Sequence, residues 1–261
     1  MRVDALVIAG GYATESLQNI CNVTKETLIP IGDKVMVEYV VGALEKTACV
    51  ESIMVAGPIE ELKKVFADKP QISFAPEGEN AIDSVLSGLK LLKPQERVLI
   101  ITADIPLITP EAIEDFIDRC IETDIDVFYP IVPMEANDLN YPGMKRTYAG
   151  LKDGIFTGGN MFFVNPKAIP GCAEKSKEMA KHRKSPVALC GMVGWTFILK
   201  LITKRLTIKE IESKFYYLLG VTGKAVISDY PGVSLDVDKP SDLELVNKIL
   251  LAEKVAIKQK D

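Results

Sequence analysis

Histidine is nearly missing from this sequence, since the only one is His182, in the basic run of residues 181–184. A Ser-His-Asp or Cys-His catalytic arrangement needs an imidazole as its base, so only His182 could serve. A metal site built on two histidines is excluded for the same reason. Any chemistry is therefore expected to rest on carboxylates, lysines, backbone amides and a bound metal.

Cysteine motifs are missing as well, because no two cysteines form a CxxC pair. The five cysteines are Cys21, Cys49, Cys120, Cys172 and Cys190. An odd number at irregular spacing is typical of buried, reduced thiols in a cytosolic protein and argues against a zinc site. We therefore expect a cytoplasmic location.

Long apolar runs and a basic surplus are also absent. The longest stretch without a charged residue spans 185–199, 15 residues, fewer than the roughly 20 that cross a bilayer. Asp4 precedes a short apolar run that no small-residue cleavage site follows, so we expect neither a signal peptide nor a transmembrane segment. The net charge of −5 argues against nucleic acid as a partner, because nucleic-acid binding favours a basic surface.

What is present is the composition of a folded protein, since 48% of the 261 residues are hydrophobic and 26% are charged. The first half alternates β-branched runs with segments of helical spacing. The runs lie at 5–9, 52–56, 71–75, 98–102 and 126–131, and the helical segments at 35–46, 60–67, 81–92 and 110–122. This alternation predicts a three-layer α/β/α fold with a mostly parallel central sheet.

The second half has a different pattern. Residues 133–147 are rich in Asn, Asp, Pro and Gly and predict a loop. Strands are expected near 147–151, 160–164, 225–228 and 233–236, helices across 166–219, and a last helix at 240–255. No repeat or linker divides the chain, so we expect a single domain over residues 1–261 with a basic helical elaboration at about 166–219.

A glycine pair follows the first expected strand, in the segment Ala9-Gly10-Gly11. Glycines at a strand end let the backbone approach a ligand, and successive N–H groups can hold a phosphate. The segment matches neither the dinucleotide fingerprint nor the P-loop. A tight turn without a ligand is the alternative interpretation.

Two acidic segments could share a cation. Asp104 follows the apolar strand at 98–102, and ligands of open α/β sheets gather at the carboxyl ends of strands. Mg²⁺ favours one or two carboxylates together with substrate phosphates. Alternation along the expected strand at 233–236 places Asp236 and Asp238 on the same side, which suggests a second ligand. Capping of a turn by Asp104, and of the last helix by Asp238 and Ser241, are the alternatives.

In this order, the segments resemble the nucleotidyltransferases with a Rossmann-like, GT-A-like fold. That family includes the molybdenum-cofactor nucleotidyltransferases, the sugar-1-phosphate nucleotidyltransferases and the cytidylyltransferases. The resemblance covers nearly the whole chain and rests on four segments, namely the AGG loop at 9–11, LIPIGDKVM at 28–36, TADIP at 102–106 and DKPSDL at 238–243.

The resemblance implies a site as well as a fold. In the family, the glycine loop wraps the nucleotide phosphates, which points to Ala9, Gly10 and Gly11, and two acids bind Mg²⁺, which points to Asp104 and Asp238. The implied reaction transfers an NMP unit from an NTP to a phosphorylated small-molecule acceptor and releases pyrophosphate.

Two positions depart from the family pattern. Glu15 stands where the glycine loop usually carries an arginine, and Glu26 lies at or near the position of a usual lysine, with Lys25 beside it. Such cations offset charge on the triphosphate. We therefore expect Lys25 or Lys34 to supply this catalytic charge. The two glutamates also motivate an alternative, a catalytically impaired protein that binds a nucleotide or another ligand on the same fold.

A GT-A glycosyltransferase is a third interpretation. Such enzymes usually carry a DxD metal motif, and Asp236-Val237-Asp238 has these letters. The motif lies near the end of the chain rather than after the central strand, so we rank this interpretation last.

Further segments match substrate pockets of the relatives. Asn80 and Ser84 follow the third expected strand, where relatives bind the base, although Asn80 could equally be a helix N-cap. Gly158, Gly159 and Asn160 lie where relatives bind the acceptor, with a plain β-hairpin as the alternative.

The segment 181–206 combines an apolar stretch with basic ends. From Lys167 to Lys214 there are 11 Lys or Arg and 4 Asp or Glu, a net charge of +7. Solvated helix faces would explain this surplus, and so would a surface for an anionic partner. We expect a buried helix at 185–206, or else a cap over a bulky acceptor, a peripheral membrane contact or an oligomer contact.

Overall fold

The computed structural model describes residues 2–94, 96–120, 124–182 and 191–258, with only the backbone described for His182 and residues 253–258. Parts of three predicted features lie outside the described residues. They are Cys190, the end of the helical segment at 121–122, and the first six residues of the apolar segment, 185–190.

Nine strands of the described residues form one sheet, and two more form a small hairpin. The sheet strands are β1 (Val3–Ile8), β4 (Val50–Gly57), β5 (Ile72–Pro76), β6 (Val98–Thr102), β7 (Val127–Pro133), β8 (Ala149–Leu151), β9 (Gly154–Gly158), β10 (Met161–Val164) and β11 (Gly223–Ile227). The hairpin consists of β2 (Pro30–Ile31) and β3 (Lys34–Val35).

The strand order is β5-β4-β1-β6-β10-β7-β9-β8, and β11 also pairs with β7. Strands β5, β4, β1 and β6 are parallel to each other. β10 and β9 run against the others, because β10 is antiparallel to both β6 and β7 and β9 is antiparallel to both β7 and β8. The predicted mostly parallel sheet is confirmed.

Ten helices complete the described part of the fold. They are α1 (Glu15–Cys21), α2 (Met36–Lys46), α3 (Ile59–Val65), α4 (Ala81–Leu92), α5 (Pro110–Asp118), α6 (Met134–Asn140), α7 (Ile169–His182), α8 (Trp195–Ile202), α9 (Ile208–Leu219) and α10 (Pro240–Lys258). Within the described residues, none of these helices combines the length and the apolar content that a bilayer crossing needs.

Helices cover both faces of the sheet, as the three-layer prediction requires. Along β1, Ala5 and Val7 pack into a core with α2 and α5, whereas Leu6 packs into a second core with α4. This division follows from the period of two along a strand, which sends neighbouring side chains to opposite faces. β1 therefore contributes side chains to both cores. This packing on both faces fixes the position of its carboxyl end at the edge of the sheet.

Local sequence signals explain several helix boundaries. Thr109 caps α5 by accepting a hydrogen bond from Ala112 N at 3.2 Å, with Pro110 in the first turn. α9 begins with a capping box, in which Thr207 and Glu210 satisfy each other's backbone N–H groups. The helix starts predicted at Pro110 and Pro240 are confirmed, because α5 and α10 begin at these residues.

Two predictions of secondary structure for the second half are wrong, and so is the expectation of a buried helix at 185–206, because no residue of α8 is buried. Residues 133–147 are not wholly a loop, because α6 occupies Met134–Asn140. Its Asn137 is buried against Ser234, so tertiary packing overrides a polar composition that is typical of loops. Residues 233–236 do not form a strand either, since a 3₁₀ helix spans Pro231–Ser234.

The second error has a physical reason. Val233, Leu235 and Val237 alternate along the sequence and are all buried, which is the pattern of a strand. These three residues are buried although they pair with no strand of the described residues. The chain at Val233 forms a tight turn instead, in which the Ser234 hydroxyl donates to Pro231 O at 3.0 Å.

Candidate active site

The first large cavity lies at the carboxyl edge of the parallel strands. It has a volume of about 520 Å³ and lies beside the ends of β1, β5 and β6. Its lining residues are Ile8, Ala9, Gly10, Gly11, Tyr12, Glu26, Thr27, Glu77, Gly78, Glu79, Asn80, Ala81, Ser84, Thr102, Ala103 and Asp104. We call it the glycine-loop cavity. It brings together the predicted phosphate loop, the predicted base segment and one predicted metal ligand.

The ammonium group of Lys25 is fixed beneath the glycine loop. Lys25 Nζ donates to Gly10 O at 3.2 Å and to the two carboxylate oxygens of Glu77 at 2.8 and 2.7 Å. It also lies 3.8 Å from the centre of the Tyr12 ring. Only 12% of the Lys25 side chain is exposed, so this cation is held next to the cavity rather than in solvent.

The need for glycine at positions 10 and 11 comes from side chains that approach the backbone closely, and not from the geometry of a turn. Neither Gly10 nor Gly11 has a positive φ. A Cβ on Gly10 would lie 2.9 Å from Glu77 Oε2, and one on Gly11 would lie 2.7 Å from Glu26 Oε2. Two carboxylates therefore lie so close to the loop backbone that a side chain at either glycine would collide with one of them.

Glu26 is the least expected group in this cavity. Burial, followed by the nearby charges of Asp104 and Asp238, raises the pKa of its carboxyl to about 8. Two like charges near a buried acid disfavour its ionised form. Glu26 is therefore protonated at neutral pH when no cation is bound.

Asp104 and Asp238 are neighbours, as predicted. Val237 N donates to Asp104 O at 3.0 Å, which fixes the residue before Asp238 against the end of the Asp104 segment. Thr102 Oγ1 donates to the Asp104 carboxylate. Burial, and to a smaller extent the charge of Asp238, raises the pKa of Asp104. Asp238 is also tied to the glycine-loop side, because Thr14 Oγ1 donates to Asp238 O at 3.0 Å.

These two carboxylates fit a cation that the substrate helps to hold. The Asp238 carboxylate makes no hydrogen bond or ion pair with a described residue, and it contributes to the repulsion that raises the pKa of Asp104. No group of three or more His, Cys, Asp or Glu side chains in the described residues is arranged to hold a metal on its own. A two-carboxylate site is suited to Mg²⁺, which takes its remaining ligands from water and substrate phosphates.

Asp236 has a different role from Asp238. Its carboxylate is ion-paired with Arg146 Nη2, and Arg146 Nη1 donates to Asp236 O at 3.3 Å. The strand that was expected to carry Asp236 and Asp238 is absent, although both residues line one cavity. Asp236 differs from Asp238 in being ion-paired with Arg146.

The start of α10 is capped by a residue that we did not expect. Asp242 accepts hydrogen bonds from Asp238 N at 3.2 Å and Lys239 N at 3.0 Å. The alternative that Asp238 and Ser241 cap this helix is therefore wrong. The Asp238 side chain is left without a structural partner among the described residues.

A second cavity lies beside the first. Its volume is about 460 Å³, and its lining residues are Tyr129, Lys145, Arg146, Thr147, Thr157, Gly158, Gly159, Asn160, Asp236, Asp238, Lys239 and Asp242. Three cationic residues (Lys145, Arg146, Lys239) and three acids (Asp236, Asp238, Asp242) line it, and we call it the basic cavity only to mark the cations, which are absent from the described lining of the glycine-loop cavity. Thr102, which lines the glycine-loop cavity, donates its N–H to Asn160 O at 3.0 Å, so the two cavities meet near this contact.

The predicted acceptor residues line the basic cavity. Asn160 Nδ2 lies 3.5 Å from Asp236 Oδ1. Gly158 and Gly159 are crowded by the protein itself, since a Cβ on Gly158 would lie 1.9 Å from the Tyr129 hydroxyl and one on Gly159 2.8 Å from Pro130 Cγ. The hairpin alternative is wrong, because β9 pairs with the end of β7 while β10 pairs with its beginning. Contact of these residues with an acceptor stays a prediction.

Asn80 and Ser84 shape the base side of the glycine-loop cavity. Asn80 Oδ1 accepts hydrogen bonds from Ile82 N and Asp83 N, both at 3.0 Å, which confirms the N-cap alternative. Ser84 Oγ accepts from Gly78 N at 2.9 Å and donates to Asn80 O at 3.1 Å. Both side chains hold the loop after β5, and their contact with a base stays a prediction.

Lys34 lies apart from both cavities. It is exposed on the β2–β3 hairpin, where its Nζ is 5.6 Å from the centre of the Tyr39 ring. It belongs to the lining of neither the glycine-loop cavity nor the basic cavity. Of the two lysines predicted to supply the catalytic charge, only Lys25 is brought next to the glycine loop.

Sequence reasoning missed two important residues. Glu77 follows the carboxyl end of β5, and its position next to a predicted pocket segment was a usable signal. Arg146 lies in the segment that we predicted to be a loop, and only the neighbouring cations Lys145 and Lys239 hinted at a basic cavity. The pairing of Arg146 with Asp236 spans 90 residues, which no local pattern reveals.

A mostly parallel sheet with a glycine loop and two carboxylates at its carboxyl edge defines a Rossmann-like nucleotidyltransferase fold. Residues 5–183 match the MobA-like NTP transferase domain. The chain belongs to this family.

Solved structures agree with this assignment. A hypothetical transferase from Thermus thermophilus is 32% identical, with a TM-score of 0.81, and the match covers 93% of this chain and 100% of that one. A CMP:2-keto-3-deoxy-manno-octonic acid synthetase complexed with CTP is 12% identical, with a TM-score of 0.66 over 96% of this chain and 99% of that one.

A third structure shares the fold at similar distance. The 4-diphosphocytidyl-2C-methyl-D-erythritol synthase of Anaerococcus prevotii is 13% identical, with a TM-score of 0.62, and the match covers 96% of each chain. No curated protein sequence shows a significant match to the chain.

Proposed function

We propose that this protein is a Mg²⁺-dependent nucleotidyltransferase that transfers an NMP unit from an NTP to a phosphorylated small-molecule acceptor. The observation that carries the proposal is the position of Asp104 and Asp238 between two cavities of different character. The glycine-loop cavity offers backbone amides with the mostly covered ammonium of Lys25 next to it, whereas the basic cavity offers three cationic side chains together with three carboxylates.

The nucleotide is assigned to the glycine-loop cavity. The N–H groups of Gly10 and Gly11 hold the phosphates, and Lys25, already at Gly10 O, supplies positive charge when Glu77 releases it. Asn80 and Ser84 contact the base. Nucleotidyl transfer depends mainly on positioning and charge stabilisation, so it needs no protein nucleophile.

The acceptor is assigned to the basic cavity. Lys145, Arg146 and Lys239 attract its phosphate, and Gly158, Gly159 and Asn160 position it. An acceptor phosphate oxygen forms a bond to the α-phosphorus of the NTP. The bond between that phosphorus and the bridging oxygen breaks, and the electron pair leaves with pyrophosphate.

The carboxylates of Asp104 and Asp238 hold Mg²⁺ at the junction of the cavities. When bound there, Mg²⁺ supplies stabilisation of negative charge on the phosphoryl oxygens. A cation held there would offset the charge of Asp238, which adds to burial in raising the pKa of both Glu26 and Asp104.

The test is pyrophosphate release from each common ribonucleoside triphosphate, with Mg²⁺ and a panel of phosphorylated sugars, polyols and cofactor precursors. We expect turnover that depends on one NTP, on an acceptor and on Mg²⁺. Asp104→Asn should lower the rate about 100-fold or more. Asp118→Asn changes an exposed acid of α5 outside both cavities and should leave the rate unchanged.

One observation favours a second candidate, a nucleotide-binding or ligand-binding protein without transfer activity. Four acids line the glycine-loop cavity, namely Glu26, Glu77, Glu79 and Asp104, and the nearby cation Lys25 is occupied by Glu77. This candidate predicts a ligand-induced thermal shift with no pyrophosphate release for any acceptor. Such a result would replace the transferase proposal.

A further inference from the structure

Helix α8 is apolar on two opposite sides. On its inner side, Phe197 and Leu201 pack against a small core made of Leu151, Phe156 and Leu206. On its outer side, Trp195, Leu199 and Ile202 are 77%, 63% and 73% exposed. These three follow each other at intervals of four and three residues, so they share one helix face. A helix that is apolar on both sides is normally covered on both.

The neighbouring helix α9 also carries exposed aromatic residues. In α9, Tyr216 and Tyr217 are 57% and 76% exposed. A groove of about 540 Å³ separates α8 from α9, and it is lined by Thr196 and Lys200 on one side and Lys214 and Tyr217 on the other. Trp and Tyr combine an apolar ring with a polar edge, and they are enriched where a membrane meets water.

The charge of this region is opposite to that of the whole chain. Residues 191–219 contain five Lys or Arg and two Glu, a net of +3, in a chain of net −5. Lys200 is paired with Glu210. Lys204 and Arg205, which follow α8 after Thr203, are exposed and form no ion pair with a described residue. Two basic residues therefore lie at the carboxyl end of the helix that carries the exposed apolar face, with the stem of Lys204 over Gly150 of β8.

We propose that the outer face of α8, together with the exposed tyrosines of α9, binds the surface of an anionic lipid bilayer. Trp195, Leu199 and Ile202 would enter the boundary between headgroups and acyl chains. Lys204 and Arg205 would contact the anionic headgroups, as basic residues of interfacial helices do. A second copy of this chain fits less well, because pairing the same face would bring two positively charged regions together.

Trp195 reports directly on this contact, since it is the only tryptophan of the chain. The full-length protein is titrated with vesicles of phosphatidylcholine mixed with phosphatidylglycerol. We expect a blue shift of the tryptophan emission, protection from a soluble quencher and co-sedimentation with the vesicles. Vesicles of phosphatidylcholine alone should bind much more weakly, and added salt should weaken binding to the anionic ones.

Variants distinguish binding through this face from nonspecific adsorption to vesicles. Leu199→Glu should lower vesicle affinity roughly tenfold or more, because the charge has to enter the apolar boundary. Leu139→Glu is the matched control, since Leu139 is 83% exposed on α6, and it should leave affinity unchanged. Lys204→Ala with Arg205→Ala should lower affinity roughly 25-fold, about fivefold for each charge. Circular dichroism checks that each variant is folded.

Three outcomes would overturn the proposal. The emission could stay unchanged while the protein does not sediment with anionic vesicles. The same blue shift could occur without lipid at high protein concentration together with a doubled mass, which would assign the face to a second copy. Equal losses for Leu199→Glu and Leu139→Glu would show that binding does not use α8.

Discussion

At the scale of single residues, Lys25 carries the strongest functional expectation. Lys25→Met should lower nucleotidyl transfer about 100-fold, because its ammonium is fixed at Gly10 O, where the triphosphate is expected. Lys69→Met is a matched control, since Lys69 is also ion-paired, with Glu45 at 2.6 Å, and also lies near an aromatic ring, that of Phe66. Pyrophosphate release under single-turnover conditions measures both variants.

The outcome also separates the two predicted lysines. Suppose that Lys34→Met lowers the rate about 100-fold and Lys25→Met leaves it unchanged. The catalytic cation is then Lys34. The proposal would then need a rearrangement of the β2–β3 hairpin that the structure does not show.

Glu26 should make stability depend on pH. Its pKa is about 8 in the folded protein and 4.5 without the fold. The folded state therefore keeps this proton more tightly between these pH values, and the free energy of unfolding falls as pH rises through this range. Glu26→Gln removes this loss. We expect the free energy of unfolding of Glu26→Gln minus that of the wild type to be about 1–2 kcal/mol larger at pH 9 than at pH 5.

Urea denaturation at both pH values measures this difference, with metal and nucleotide omitted. A gap between wild type and Glu26→Gln that is the same at pH 5 and pH 9 would show that the carboxyl ionises freely in the folded protein. The claim that burial and the charges of Asp104 and Asp238 disfavour the ionised form of Glu26 would then be wrong.

Residues at strand ends could be predicted, whereas their distant partners could not. Asp104 and the Gly10-Gly11 pair were found because the end of an apolar strand fixes where the next residues lie. Asp238 was proposed from alternation along an expected strand at 233–236 as well as from the family resemblance, and that strand is absent. Glu77 and Arg146 gain their roles only from ion pairs with residues far away in the sequence.

At the scale of secondary-structure elements, two helix glycines make opposite predictions. A Cβ on Gly88 in α4 would lie 2.3 Å from Leu6 Cδ1 of β1, whereas a Cβ on Gly42 in α2 meets nothing within 4 Å. Gly88→Ala should destabilise the protein by about 1–3 kcal/mol, because α4 has to move away from the sheet. Gly42→Ala should stabilise it by up to about 1 kcal/mol through helix propensity.

Urea midpoints of the two variants check this pair under identical conditions. Stabilisation by Gly88→Ala would mean that α4 does not pack this closely on β1. The position of the glycine-loop cavity between these two elements would then have to be revised.

Elements with strong periodicity were predicted well, and those defined by tertiary contacts were not. β6 and α4 have the bounds that the sequence indicates, because an apolar strand and an amphipathic helix with an N-cap are local signals. α6 was missed, since it is held by contacts with β7, β9 and the turn at Ser234, which bury Asn137 and leave its other polar residues exposed. α1, which follows the glycine loop, gave no signal that we used.

At the scale of the whole molecule, one sheet connects the two large cores. β1 contributes side chains to both of them, and its neighbours β4 and β6 do the same. We therefore expect a single cooperative unfolding transition, with equal calorimetric and van't Hoff enthalpies. Differential scanning calorimetry tests this. Two separate transitions would contradict the prediction of a single domain over residues 1–261.

The family and the fold class were predictable at this scale because the order of the four segments is a global property of the sequence. The distribution of charge over the two cavities was not predicted. The four acids of the glycine-loop cavity, and the three cations and three acids of the basic cavity, come from segments far apart in the chain. Only the folded sheet brings them to one edge.

The most direct measurement of the central claim follows both parts of the NTP at once. The protein is incubated with Mg²⁺, an acceptor and an NTP that carries one label on the α-phosphorus and another on the γ-phosphorus. We predict that the α-label appears in the acceptor and the γ-label in pyrophosphate, and that Asp104→Asn prevents both. A γ-label released as inorganic phosphate, or a nucleotide that binds and is recovered intact with every acceptor, would contradict nucleotidyl transfer.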